Sequence, residues 1–132
     1  MPRRPKRKPR AKPAAQRLWD VLFAAFDLQR RNKKITLTSV AYNSYVDLSP
    51  NGHTQGFLTK LVEWGHLRAI KTTHWNGVRM TMYRLDLLGI KDGDPAAYEG
   101  LCQKFGRDRV EELTERQRLA AATVKENMQD GT

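Results

Sequence analysis

At 132 residues the chain is the size of one ordinary domain, able to bury about two-thirds of its unfolded surface and with no room for a second sizeable core. Its formal net charge of +10 is unevenly placed: residues 1–12 carry seven Lys or Arg and no acid, residues 13–85 ten against four, and residues 86–132 seven against ten, or +7, +6 and −3. A basic tail and body followed by a mildly acidic end point to a polyanion as partner, while the lone Cys102 and the scattered His53, His66 and His74 argue against a disulfide, a metal site or a cofactor.

No apolar run approaches the length of a membrane span, and no apolar stretch follows the N-terminal charges as a secretory signal requires. The expected compartment is the cytoplasm, in association with the nucleoid, or the nucleus in a eukaryote. Neither a membrane nor a small-molecule ligand is called for.

In chain order, "MPRRPKRKPRAKP" (1–13) interleaves prolines with Arg3, Arg4, Lys6, Arg7, Lys8, Arg10 and Lys12. Such a stretch can neither bury a core nor sustain a helix, and it reads as a disordered basic arm. "AAQRLWDVLFAAFDLQR" (14–30) spaces Leu18, Leu22, Ala25 and Phe26 helically, with Trp19, Val21 and Phe23 widening the stripe into a buried first helix. "ITL" suggests a small edge strand, with Thr38 or Ser39 capping the next element, and "SVAYNSYVDL" a short helix of two to three turns.

"SPNGH" is a turn, with Ser49 as a candidate N-cap ahead of Pro50, or Asn51 in its place. "HTQGFLTKLVEWG" is the clearest amphipathic run: Phe57, Leu58, Leu61, Val62 and Trp64 gather on one side, and Gly65 takes the slot after the helix. Gly56 sits inside this helix at a cost of about 1 kcal/mol relative to Ala. Either the helix starts late or a bare backbone is wanted there, for close approach to the preceding helix, which helix packing favours, or to a DNA phosphate.

"KTTHWNGVRMTMYRL" contains Asn76-Gly77, the strongest short hairpin signal, because a type I′ turn needs positive φ at both positions. That turn pairs Trp75 with Val78, His74 with Arg79, Thr73 with Met80, Thr72 with Thr81, Lys71 with Met82 and Ile70 with Tyr83. Ile70, Tyr83 and Leu85 then face the core. Trp75, Val78, Met80 and Met82 line the other face, to be covered by the C-terminal helices or a second protomer. Beyond the hairpin, "KDGDPAAYEGLCQKFG" predicts a turn and an Asp94-capped helix with Pro95 at its first position. "RDRVEELTERQRLAAATVKENMQ" predicts a longer helix with a weak stripe of Val110, Leu113, Ala120, Ala121, Val124 and Met128, interrupted at Gln117.

The order helix, short strand, short helix, turn, helix, Gly and hairpin, carried by "ITLTSVAYNSYVDLSPNGHTQGFLTKLVEWGHLRAI" and the returning "YRL", resembles the winged helix-turn-helix domains of many prokaryotic transcriptional regulators. The resemblance covers residues 14–85, within a DNA-binding domain expected over 14–86, and implies an α+β, mostly helical fold. Three helices and a hairpin wing form its core, and residues 87–132 form a C-terminal helical extension for packing or dimerisation. It implies double-stranded DNA as partner and a homodimer, since one recognition helix reads too few base pairs.

The polar face of the helix near 51–64, with Asn51, His53, Thr54, Gln55, Thr59 and Lys60, offers donors and acceptors suited to base edges and phosphates. The wing offers Lys71, Thr73, His74, Trp75, Asn76 and Arg79, with Arg79 at a minor groove or a phosphate. The arm adds electrostatic affinity with little sequence preference. Against these stand plainer readings: a solvated helix face, a charge run that aids solubility, and a Trp75 packed under the C-terminal helices.

No Ser, Cys or carboxylate has a motif-level base partner, and Asp92 and Asp94 read as turn and cap, so no enzyme is expected. The leading expectation is a small sequence-specific regulator or repressor. A plasmid or phage replication, partition or recombination accessory protein, or a winged-helix module for protein or RNA, are the alternatives.

Overall fold

A computed structural model describes residues 14–130, apart from the side chains of residues 14, 75 and 124–130. The basic arm expected over 1–13 lies outside the described residues. Within them the chain is α+β and mostly helical: α1 (Ala14–Arg30), α2 (Leu37–Ala41), α3 (Gly52–Glu63), β1 (Leu67–Trp75), β2 (Val78–Leu85), α4 (Leu87–Gly93), α5 (Pro95–Phe105) and α6 (Arg107–Asp130). None of the described helices is long and apolar enough to cross a membrane.

The first helix is the centre of the body. Val21, Leu22, Ala24, Ala25, Phe26 and Leu28 are all buried, an apolar surface too wide for one neighbour, and α1 accordingly packs against α2, α3, β2 and α5. One hydrophobic cluster runs from these residues through Leu58, Leu61, Leu67 and Leu85 to Leu87, Ile90, Tyr98, Leu101, Phe105 and Val110. The approach of α1 to α5 is close enough that a Cβ at Gly100 would lie 2.4 Å from the Trp19 ring. Any larger residue there would have to displace the Trp19 ring.

Several local expectations change. The short helix after "ITL" is a single turn, Leu37–Ala41, capped by Thr36, with Ser39 completing the reciprocal capping box. It stops because the buried Asn43 uses its side chain elsewhere, donating to Asp27 (3.0 Å) and accepting from the Tyr45 amide (3.0 Å). The edge strand reduces to one bridge, in which the Tyr83 amide donates to the Ile35 carbonyl at 2.8 Å. Asn51, rather than Ser49, caps α3, accepting from the His53 and Thr54 amides. The turn expected after the hairpin is the helix α4, whose cap Asp86 accepts from the Gly89 amide.

The hairpin turns at Asn76 (φ 50°) and Gly77 (φ 76°), as a type I′ turn requires. Its register matches the expected pairs from Trp75/Val78 down to Lys71/Met82, then slips between Ala69 and Lys71, so that Ala69 and not Ile70 opposes Tyr83. A bulge adds one residue to β1 and flips the alternation. Ile70 is therefore 46% exposed, whereas Tyr83 and Leu85 stay buried as expected.

Nor do the C-terminal helices cover the outer face of the hairpin. α6 meets it at its base, where Gln117 donates to the Leu85 carbonyl (2.6 Å) and accepts from the Leu87 amide (2.9 Å). Val78 and Met80 remain exposed. The Trp75 side chain lies outside what is described.

Candidate nucleic-acid interface

The placement of α3 follows from its sequence. Leu58 and Leu61 are buried against α1, Phe57 and Val62 pack at the margins, and the opposite ridge is left to Gly52, Gly56, Thr59, Lys60 and Glu63, all exposed. Gly56 is the fifth residue of the helix, so the idea of a late start fails. A Cβ built on it would meet nothing within 4 Å. No internal packing requires the glycine, and the outermost N-terminal ridge of α3 is bare backbone.

Beside this ridge the hairpin stands away from α3 and encloses a groove of about 680 Å³. Thr38 of α2, Gln55 and Thr59 of α3, and Thr72, Arg79, Thr81 and Tyr83 of the hairpin line its polar parts, with Pro50, Val62 and Met80 among the apolar ones. The Gln55 amide donates to the Tyr83 hydroxyl at 2.9 Å, which fixes the spacing of helix and hairpin at the groove's inner end.

Of the residues singled out from sequence, Gln55, Thr59 and Arg79 converge on this groove. By the pairing of His74 with Arg79 and the alternation of strand side chains, His74 shares that face of the hairpin. Lys60 and His53 are exposed on the outer flank of α3. Lys60 leans over the Trp64 ring (5.9 Å) and His53 meets Phe57 edge-on. Lys71 pairs with Met82, which is not part of the groove lining, and so occupies the opposite face, whereas Thr73 pairs with Met80 at the groove's edge.

Three positions are committed locally. Thr54 is 1% exposed, its hydroxyl donating to the Ser49 carbonyl at 2.7 Å, so it closes the turn and meets no external partner. The Asn51 carboxamide oxygen is taken by two α3 amides, and Asn76 serves the turn by its positive φ. The seven arm cations lie outside the described residues.

Arg84 was not singled out from sequence. The bulge places Arg68 directly opposite Arg84, and like charges in that position repel. Arg68 is held by Asp86 (3.0 Å), whereas no described carboxylate pairs with Arg84. Only a correct register reveals this pair, and the bulge has no clear signature in "RAIKT". Across residues 51–85 there are five Lys or Arg and one acid, Glu63. By contrast, the carboxylates of α5 and α6 bridge neighbouring arginines, Glu99 and Glu111 to Arg107, Glu112 to Arg116 and Glu115 to Arg118.

No protein-family model, curated protein or solved structure matches the chain.

Proposed function

We propose that this protein binds double-stranded DNA sequence-specifically through a winged helix-turn-helix arrangement, and that it acts as a small transcriptional regulator. In this reading α1 to α3 and the hairpin, residues 14–86, form the DNA-binding unit, and α4 to α6 brace it. α3 enters the major groove, and the hairpin is the wing.

The observation that carries the reading is the bare, outward ridge of α3 beside a groove lined by hydroxyls, an amide and Arg79, within a stretch bearing a single carboxylate. A duplex major groove admits one helix, and the thin ridge at Gly52 and Gly56 favours deep entry. Thr59 and Lys60 then reach base edges, while Arg79, His74 and Arg84 meet phosphates or the minor groove. The arm adds charge-driven affinity. Because one α3 reads few base pairs, two copies would bind a two-fold site.

Binding to a random duplex pool, followed by anisotropy on the enriched sequence, tests the proposal. Enrichment of a motif supports it. Affinity that is uniform across sequences would reduce the protein to a general polyanion binder, and absence of binding at low salt would remove DNA from the account.

A further inference from the structure

A second concavity lies on the far side of α3, where its C-terminal end meets α1, the start of β1 and the cap of α5. It measures about 150 Å³ and is lined by Ala15, Leu18, Trp19, Leu22, Leu61, Trp64, His66, Asp94 and Ala97. A cavity of this volume accommodates a benzene-sized molecule. It is open at one side, and its wall is apolar but for His66 and Asp94.

Those two residues are unusual. His66 is 4% exposed. Its Nε2 contacts Asp94 Oδ2 at 3.1 Å, and its Nδ1 is buried without a hydrogen-bond partner among the described residues. Asp94 Oδ1 accepts from the Ala97 amide at 3.2 Å as the cap of α5. The carboxylate still has lone pairs to spare, because four acceptor sites face two donors, and its side chain is 43% exposed. Both polar residues on the wall thus have unused acceptor capacity: Asp94 through its lone pairs, His66 through Nδ1 when Nε2–H donates to the carboxylate. Two indoles, Trp19 and Trp64, border the same space, and indole faces attract cations. The Lys60 ammonium already lies over the Trp64 ring at 5.9 Å from its centroid, which leaves Trp19 as the indole for a ligand.

We propose that this pocket binds a small organic cation, an ammonium or amidinium carried on an aromatic or apolar body. The charged end is received by Asp94 and an indole face, and the body lies against Leu18, Leu22 and Leu61. This departs from the sequence expectation that no small ligand is involved, and it does not depend on DNA binding.

The test uses benzylamine as probe and benzyl alcohol as its neutral isostere, titrated into the full chain and followed by the Trp19 and Trp64 indole N–H resonances. Benzylamine should saturate with a Kd of about 1 mM or tighter and bind at least about tenfold better than benzyl alcohol. Asp94→Asn keeps a capping side chain while removing the charge, and should abolish that preference. Ala15→Leu narrows the mouth at an exposed helical position and should weaken both probes, with the fold monitored by the remaining resonances. No saturable shift by about 10 mM, equal affinity for the two probes, or an Asp94→Asn variant that keeps the preference would each overturn the proposal.

Discussion

Replacing Gly56 by Ala separates stability from recognition at one atom. In a helix interior alanine is favoured over glycine by about 1 kcal/mol, because the glycine backbone loses more freedom on folding. Nothing lies within 4 Å of the new Cβ, so no clash offsets the gain. For a body of this size that corresponds to a rise in Tm of about 4 °C, or a matching increase in the urea midpoint at unchanged slope. The same methyl stands on the ridge that would press into the major groove, and a lost contact there typically costs 1–3 kcal/mol, about tenfold in Kd. Gly56→Ala should therefore melt higher and bind its selected duplex about tenfold more weakly, with binding to an unrelated duplex at low salt little changed. A variant that is less stable would refute the reading of Gly56 as unpacked. One that is more stable and binds its selected duplex with unchanged affinity would refute the placement of the ridge against DNA.

Arg79→Ala should lower affinity and reduce the magnitude of the log–log salt slope by about one, whereas Lys71→Ala on the opposite hairpin face should change it less. Removal of residues 1–12 should flatten that slope by about five units, if about six phosphates are neutralised by the arm. Tyr83→Phe removes the acceptor for Gln55 and should cost about 1 kcal/mol in urea unfolding. Burial pushes the Asp27 carboxyl up, but hydrogen bonds from Asn43 and Arg30 and the charges of Arg31 and Arg30 outweigh this and hold it below the ordinary value of 3.8. A depressed folded value gives stability that is present above the unfolded value and lost as pH falls through the folded one. Stability should thus fall below about pH 4 in the parent, and Asp27→Asn should be less stable at pH 7 and lose less on acidification.

The elements legible in sequence were those set by strong local chemistry. The apolar spacing of α1, the stripe of α3, the Asn76-Gly77 turn and the Asp94-Pro95 start of α5 each depend on residues close in the chain. What was not legible depended on distant partners. The one-turn α2 ends where Asn43 reaches Asp27 sixteen residues away. α4 is held by Asp86 at its start and by Gln117 from α6, the residue that from sequence alone looked like a break in a stripe.

The same division applies to the candidate site. Gln55, Thr59, Lys60 and Arg79 were visible as polar residues at helical or hairpin spacing, and they are accessible or line the groove. Thr54 lay on the same sequence face but is drawn inward by the Ser49 carbonyl. The bulge at Ile70 is a tertiary accommodation, since Tyr83 must pair with both Ala69 and the Ile35 bridge. It moved Ile70 outward and brought Arg68 and Arg84 face to face.

Selection from a random-duplex pool, run with the full chain and with the chain lacking residues 1–12 at matched salt, tests the central claim most directly. Sequence-specific reading by α3 and the hairpin predicts the same enriched motif for both proteins, with the shorter one binding more weakly and with a shallower salt dependence. Loss of enrichment with the arm, or no enrichment for either protein, would contradict it.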